Sequence, residues 1–86
     1  MTLKEFKIQK ALGLITFDDE CDMARHTDTP ISMLEVLSKS NRIAVRYYVA
    51  MNTNTPVKIL KKLSKDNSSG IVKNAATDNI QFNFHK

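Results

Sequence analysis

The sequence has little of several things that define whole classes of protein. A single cysteine, Cys21, excludes an internal disulfide and any site built from two or more thiolates of one chain, such as a cysteine-rich zinc finger or an iron–sulfur cluster. Two glycines and two prolines exclude a collagen-like or low-complexity chain, and two isolated glycines cannot form a phosphate-binding loop. No apolar run approaches the roughly 18 residues of a membrane span.

The start of the chain, MTLKEFKIQKALG, has Lys and Glu scattered through it, which is not the pattern of a signal peptide. We therefore expect a cytoplasmic protein with no membrane partner. With 86 residues, 42% of them apolar and 26% charged, the chain has the composition of one small globular domain.

The net charge of +4 is unevenly distributed. Residues 1–35 carry four cations and seven carboxylates, a net charge of −3, whereas residues 36–86 carry nine cations and two carboxylates, a net charge of +7. Three interpretations stay open: a solvated surface without a role, head-to-tail self-association, or an anionic partner on the C-terminal half.

An internal repeat is the strongest signal in the chain. The segment TDTPISMLEVLSKSN, from Thr27, aligns without a gap with TNTPVKILKKLSKDN, from Thr53, at a spacing of 26. A partial third copy follows at a spacing of 27, and its residues Val72, Lys73, Ala76 and Asn79 match Val45, Arg46, Val49 and Asn52. Self-similarity at such a period is typical of stacked helical repeats.

Each repeat predicts two short helices. In the first, Thr55 is expected to be the N-cap and Pro56 the first helical residue, followed by an inward stripe of Val57, Leu60 and Leu63. The corresponding residues one repeat earlier are Thr29, Pro30, Ile31, Leu34 and Leu37. The turns at residues 40–41 and 66–69 are expected to end these helices and to cap the next.

The second helix is predicted over Ile43–Met51. It is apolar nearly all round, so it should lie between neighbouring helices, and Asn52 suits a left-handed C-terminal cap. Helices of this length are not stable alone, so stacking of neighbouring units must stabilise them. The sequence thus predicts an all-α single domain, a short stack of helix pairs.

The stretch VRYYVAMNTNTPVKILKKLSKD resembles the leucine-rich repeat variant family, whose repeat reads V-R-x-x-V-A-x-N-x-N-T-P-x-x-x-L-x-x-L-A-x-D. The resemblance implies a right-handed α-solenoid of alternating α and short 3₁₀ helices, related to HEAT and armadillo repeats, and not the β-horseshoe of ordinary leucine-rich repeats. The longer spacing implies longer turns between helices. An iron–sulfur cluster known beside such repeats in one relative does not carry over, because this chain has one cysteine.

The ends are expected to act as caps, with residues 1–22 as an N-terminal cap, 23–79 as repeats and 80–86 as a tail. Thr2 and Glu5 form a capping-box pattern opening a helix that Gly13 ends. Its candidate inward residues are Leu3, Phe6, Ala11 and Leu12. In the tail, alternation of Ile80, Phe82 and Phe84 with polar residues predicts a strand-like or irregular segment that covers the last helix pair, frays, or pairs with another molecule.

No residue pattern indicates catalysis. The acidic run Asp18-Asp19-Glu20 with Asp22 lacks the spacing and glycine of a calcium loop and suits a helix start instead. His26 occupies the repeat position of Asn52, which favours a turn role, and Cys21 is expected to be a packing residue. His85 is expected to be solvated. We therefore expect no enzyme activity, no catalytic or metal-binding residues, no cofactor and no small-molecule substrate.

Basic residues are the candidate binding surface. Lys58, Lys61, Lys62 and Lys65 lie on the outer side of one short helix, and Arg42, Arg46 and Lys73 add charge from the second helices. They are either a solvated surface or a site for an acidic protein or nucleic acid phosphates, with Tyr47 as a weak candidate for base stacking. Arg46 has a structural alternative, with its stem packed between units and its head bonded to a neighbouring carbonyl.

These features predict a non-catalytic helical-repeat scaffold that binds another macromolecule, with a protein as the favoured partner. A nucleic-acid-binding module that uses the basic helix, and a self-associating adaptor whose acidic end meets its basic end, are the alternatives.

Overall fold

The computed structural model describes residues 1–84. Its helices are α1 (Leu3–Ala11), α2 (Phe17–Arg25), α3 (Ile31–Leu37), α4 (Ile43–Met51), α5 (Val57–Leu63) and α6 (Gly70–Phe84). No β-strand occurs in the described part of the chain, so the prediction of an all-α fold is confirmed. The short helices α3 and α5 are α-helices of seven residues, and no 3₁₀ segment occurs between residues 1 and 84.

Helix α4 lies at the centre of the fold. It packs against α2 and α6, and α3 and α5 also contact it. Its residues Val45, Val49 and Ala50 are fully buried, so the prediction of a helix enclosed by neighbours is confirmed. The core around it also includes Phe6 of α1 and Leu60 of α5. With a radius of gyration of 12.4 Å, the molecule is a compact globule.

The helix bounds recur at the spacing seen in the sequence. Helix α2 begins at Phe17 and α4 at Ile43, one repeat length later, and the two helices are equally long. Helices α3 and α5 begin at Ile31 and Val57, which are separated by the same repeat length. Helix α6 begins at Gly70, one position later than this spacing requires, because the turn before it holds one more residue.

Local capping explains where the first two helices start. The Thr2 hydroxyl accepts a hydrogen bond from the Glu5 amide and the Glu5 side chain accepts one from the Thr2 amide, which confirms the predicted capping box. Thr16 and Asp19 form a second capping box that starts α2. Gly13, at φ 75°, follows α1 in the left-handed region that favours glycine, as expected of a helix stop.

The predicted N-cap role of Thr55 is wrong. Pro56 itself is the residue before α5 and provides no side-chain cap, and the Thr55 hydroxyl instead donates to the carbonyl of Val49, 2.7 Å away, in the preceding helix. Thr29 does the same with the Met23 carbonyl at 2.6 Å. These hydroxyls bond to the C-terminal ends of α2 and α4, where carbonyls lack the usual helical donor four residues later, rather than to the start of the next helix.

In each of the predicted inward stripes of α3 and α5, one residue is not buried and a different one is. In α5, Ile59 is buried beside Leu60 and Leu63, whereas Val57 is only half-buried. In α3, Met33 is likewise buried and Ile31 is exposed. In both helices the third, fourth and seventh residues share the inward face, and the first residue lies outside it. In α1, Phe6 is buried and Leu3 half-buried, while Ala11 and Leu12 are exposed.

The C-terminal prediction is wrong over residues 80–84. These residues continue α6, in which Ile80 packs against the core and Phe82 is exposed, so the segment is helical and not strand-like. Helical packing on α4 and α5 overrides the alternation of apolar and polar residues. The expectations for His85 fall outside the described residues.

Buried asparagine amides connect α2, α4 and α6. The Asn52 amide donates to the carbonyls of Ala24 and His26 at 2.9 and 3.0 Å, and the Asn79 amide donates to those of Ala50 and Asn52 at 2.8 and 3.0 Å. Asn52 itself is extended, with φ −72° and ψ 120°, so its predicted left-handed conformation is wrong. Each amide thus closes the end of the preceding long helix.

Candidate macromolecule-binding surfaces

Three lysines on the exposed side of α5 and one in the turn that follows it form a cluster, which we call the lysine face: Lys58, Lys61, Lys62 and Lys65. The prediction that all four lie on the helix is wrong for Lys65, because α5 ends at Leu63. All four are exposed, because the opposite side of the helix is occupied by buried Ile59, Leu60 and Leu63. No carboxylate forms an ion pair with them among the described residues. The six residues from Lys58 to Leu63 extend about 8 Å along α5, and Lys65 follows two residues later, so the four positive charges are close together.

Arg46 does not belong to this face. Its side chain is 11% exposed, and its Nε donates to Asp66 Oδ2 at 2.8 Å. Nη1 donates to the Ser40 carbonyl and Nη2 to the Ser68 hydroxyl, both at 2.7 Å. The structural alternative for Arg46 therefore describes the observed geometry, and the guanidinium joins the turn before α4 to the turn after α5.

Asp66 is held in its ionised form by these contacts. A hydrogen bond from the Ser68 hydroxyl, together with the bond from Arg46, lowers the pKa of Asp66 below its ordinary value, although burial acts in the opposite direction. The side chain is 9% exposed, so the ion pair is largely shielded from water. Breaking it would leave a buried guanidinium without its carboxylate.

Arg42 lies apart from the lysine face as well. Its guanidinium carbon is 4.8 Å from the centre of the Phe17 ring, at the start of α2. The predicted basic set is thus divided by the structure into the four lysines of the lysine face, a stacked arginine and a buried arginine. Lys73 is exposed on α6.

The surface along α2 and α4 combines aromatic rings with a cation. Arg25 lies 5.3 Å from the centre of the Tyr48 ring and pairs with Asp22, whose hydrogen bond and charge raise the pKa of Arg25. Tyr47 is half-buried and meets Tyr48 edge-on at 5.6 Å. Tyr47 is therefore partly occupied by packing within the fold and lies on α4, not on the lysine face.

A shallow apolar groove of about 220 Å³ lies between α4 and α6. Met51 and Phe82 border it and are 53% and 55% exposed. Ala75 of α6 lines it as well.

A larger cavity, about 330 Å³, lies beside Glu20 between α1, α2 and the turn after α3. The Glu20 side chain is only 9% exposed and forms an ion pair with Lys10, whose side chain is 52% exposed. Phe6 and Leu37 form the apolar part of the wall, and Ser40 lines it too. The sequence predicts a helix-start role for Glu20 and gives no direct sign of this pair, although Glu20 occupies the repeat position of Arg46.

The other candidates have structural roles. Asp18, Asp19 and Glu20 lie in the first turn of α2, as predicted, and hydrogen bonds from the Thr16 amide and hydroxyl lower the pKa of Asp19. His26 ends α2, and its Nδ1 accepts from the Asp28 amide at 3.2 Å, which confirms a turn role. Cys21 packs in the core, where burial raises the pKa of its thiol.

The described residues hold neither a metal-ligand cluster nor a membrane-spanning helix. Across residues 1–84 no three His, Cys, Asp or Glu side chains converge as metal ligands would. Over the same range no helix combines the length and apolar character needed to cross a membrane.

Comparisons with protein-family models, with curated proteins and with solved structures find no match to this chain.

Proposed function

We propose that this chain is a short helical-repeat scaffold of the leucine-rich repeat variant type, an α-solenoid, that binds an acidic segment of a partner protein on the lysine face. The observation that carries the proposal is the lysine face itself, which places four exposed cations along α5 and the turn after it, without a carboxylate in an ion pair with them among the described residues. A cluster of one sign attracts the opposite charge.

The scaffold part of the proposal is supported by recurring contacts. The hydroxyls of Thr29 and Thr55 bond to equivalent carbonyls of successive repeats, and so do the amides of Asn52 and Asn79. Such nearest-neighbour contacts are how repeat proteins are stabilised. The cytoplasmic location stays a prediction.

The non-catalytic part of the proposal is supported by what the buried polar side chains do. Asn52, Thr55 and Asn79 bond to backbone carbonyls, and Arg46 bonds to a carbonyl, a carboxylate and a hydroxyl. These groups hold helices together and are not available for chemistry on a substrate.

A protein partner is favoured over nucleic acid by the surroundings of the lysine face. Binding of single strands combines cations with aromatic rings that stack on bases, and Tyr47 is half-buried against Tyr48. The lysine face extends only about 10 Å, which is short for contacts to many phosphates. Nucleic acid stays the alternative because lysines alone can bind phosphate.

The test measures binding of a fluorescent deca-glutamate peptide and of single-stranded RNA and duplex DNA by anisotropy at low salt. We expect the peptide to bind more tightly than either nucleic acid at equal charge, and the triple variant Lys58→Glu, Lys62→Glu, Lys65→Glu to abolish binding. The matched control changes three exposed lysines elsewhere, Lys4→Glu, Lys7→Glu and Lys73→Glu, and should retain most of it.

Each other outcome selects against the proposal. Tighter binding of RNA or DNA, lost steeply with added salt, would support the nucleic acid alternative. Equal losses in the two triple variants would mean that net charge, and not the lysine face, attracts the peptide. A mass in light scattering that rises with concentration and falls with salt would support the self-associating adaptor, with the acidic end of one copy on the basic end of another.

A further inference from the structure

The cavity beside Glu20 has the sequence position that an arginine side chain fills in the next repeat. Glu20 lies one repeat length before Arg46, and Ser40 lies the same distance before Asp66. Glu20 and Ser40 both line the cavity, whereas Arg46 and Asp66 are in contact with each other. The two places are equivalent in the chain but hold different side chains.

Arg46 shows what kind of group fits this place. Its guanidinium is held between α4 and the turn after α5 by three bonds, at 2.7 to 2.8 Å, and is largely buried. In the preceding repeat the shorter Glu20 replaces the arginine, and about 330 Å³ is left open beside it. In the later repeat the guanidinium is on the helix and the carboxylate, Asp66, is in the turn. In the earlier repeat the carboxylate, Glu20, is on the helix, and its partner is the ammonium of Lys10 instead of a guanidinium.

Glu20 needs a cation, and its present partner is replaceable. The carboxylate is 9% exposed, and a buried charge without a partner is costly. Lys10 supplies one ammonium from a side chain that is 52% exposed, so it can turn into solvent. A guanidinium offers a planar pair of N–H groups that bonds a carboxylate at two points, which an ammonium cannot do.

Lys39 is the other charged group that faces the cavity. It is exposed, so solvent and salt weaken its repulsion of an incoming cation. In the next repeat, Lys65 occupies the position of Lys39 and lies one residue before Asp66. Arg46 is bound there in spite of this lysine, so a cation at this position does not prevent a guanidinium from binding. A purely anionic occupant would instead meet the buried Glu20 carboxylate.

We propose that this cavity binds the guanidinium group of an arginine, which displaces Lys10 and pairs with Glu20. The site goes beyond the proposed function, because it lies on α1, α2 and the turn after α3 and not on the lysine face. The arginine comes either from a partner peptide or from the free amino acid, and both share the same chemistry.

The test titrates acetyl-Gly-Arg-Gly-amide into the full chain and follows backbone amides by NMR. We expect shifts confined to α1, α2 and residues 36–41, and none with the matched peptide in which neutral citrulline replaces arginine. Glu20→Gln keeps the size of the side chain and removes its charge, and should weaken binding by about tenfold or more, since a bond to a charged group is lost.

Two further variants are expected to bind arginine more tightly, a result that loss of folding cannot produce. Lys10→Gln removes the competing ammonium and should tighten arginine binding. Ser40→Asp adds the carboxylate that Asp66 supplies one repeat later, so it should fold, and it should also tighten binding. Peptide affinity well above that of L-arginine indicates a partner side chain, and equal affinity indicates the free amino acid.

The proposal is overturned if arginine and citrulline peptides behave alike, or if neither Lys10→Gln nor Ser40→Asp binds arginine more tightly than the parent. This result would leave the proposed function intact, because the triple lysine variant tests a different surface. Conversely, loss of binding at the lysine face would not change the expected effect of Glu20→Gln.

Discussion

Leu60 is the single side chain whose truncation should cost most in α5. It is fully buried, so Leu60→Ala removes buried methyl groups and leaves a cavity, and we expect a loss of about 2–4 kcal/mol in the free energy of unfolding. The matched control is Leu12→Ala, because Leu12 is 68% exposed and should change stability by less than about 0.5 kcal/mol. Urea unfolding followed by circular dichroism measures both. Equal midpoints for parent and Leu60→Ala would mean that the inward side of α5 is misassigned.

Asn52 contributes to stability through the hydrogen bonds of its side-chain amide, whereas Leu60 contributes through its buried volume. Asn52→Ala leaves the carbonyls of Ala24 and His26 without this donor, and we expect a loss of about 1–3 kcal/mol. Asn74→Ala, at an exposed position of α6, is the matched control and should have little effect. Similar melting temperatures for the two variants would argue against a stabilising role for the buried amide.

At the scale of elements, the Arg46–Asp66 contact ties α4 to the turn between α5 and α6. Because the pKa of Asp66 is lower in the folded chain, its contribution to stability is complete above the ordinary value of about 3.9 and is lost as pH falls through the folded value. We expect Asp66→Asn to melt well below the parent at pH 6, and the difference to shrink by pH 3.

Asp78→Asn is the control for this pH dependence, since Asp78 is exposed on α6. Its melting temperature should follow that of the parent at both pH values. A difference between parent and Asp66→Asn that is the same at pH 6 and pH 3 would contradict a stabilising role for the ionised carboxylate.

Some elements could be predicted from local rules and others could not. The bounds of α4 follow from an apolar run between polar turns, and the start of α1 from its capping box. The role of Thr55 was missed because cap preferences describe the next helix, whereas its hydroxyl bonds to the preceding one. The helical form of residues 80–84 depends on packing against α4 and α5, which alternation along one segment does not describe.

At the scale of the whole molecule, the fold divides basic residues that the sequence groups together. The sequence places two arginines and four lysines in one stretch of chain, from Arg42 to Lys65. Only the fold shows that Arg46 is largely buried against Asp66 and that the exposed Arg42 stacks on Phe17, since neither contact can be seen in that stretch of sequence. The Lys10–Glu20 pair was missed for the same reason, because it joins two helices across a turn.

The side-chain amides of Asn52 and Asn79 donate hydrogen bonds to carbonyls that come earlier in the chain, at the end of the preceding long helix. The C-terminal end of α4 therefore supplies both the Asn52 amide that donates to the end of α2 and the carbonyls of Ala50 and Asn52 that accept from α6. A gene segment that encodes residues 27–52, copied in frame, would add a repeat that already contains this donor and these acceptors. This architecture can therefore be lengthened by duplication without any substitution to provide the hydrogen bonds between repeats.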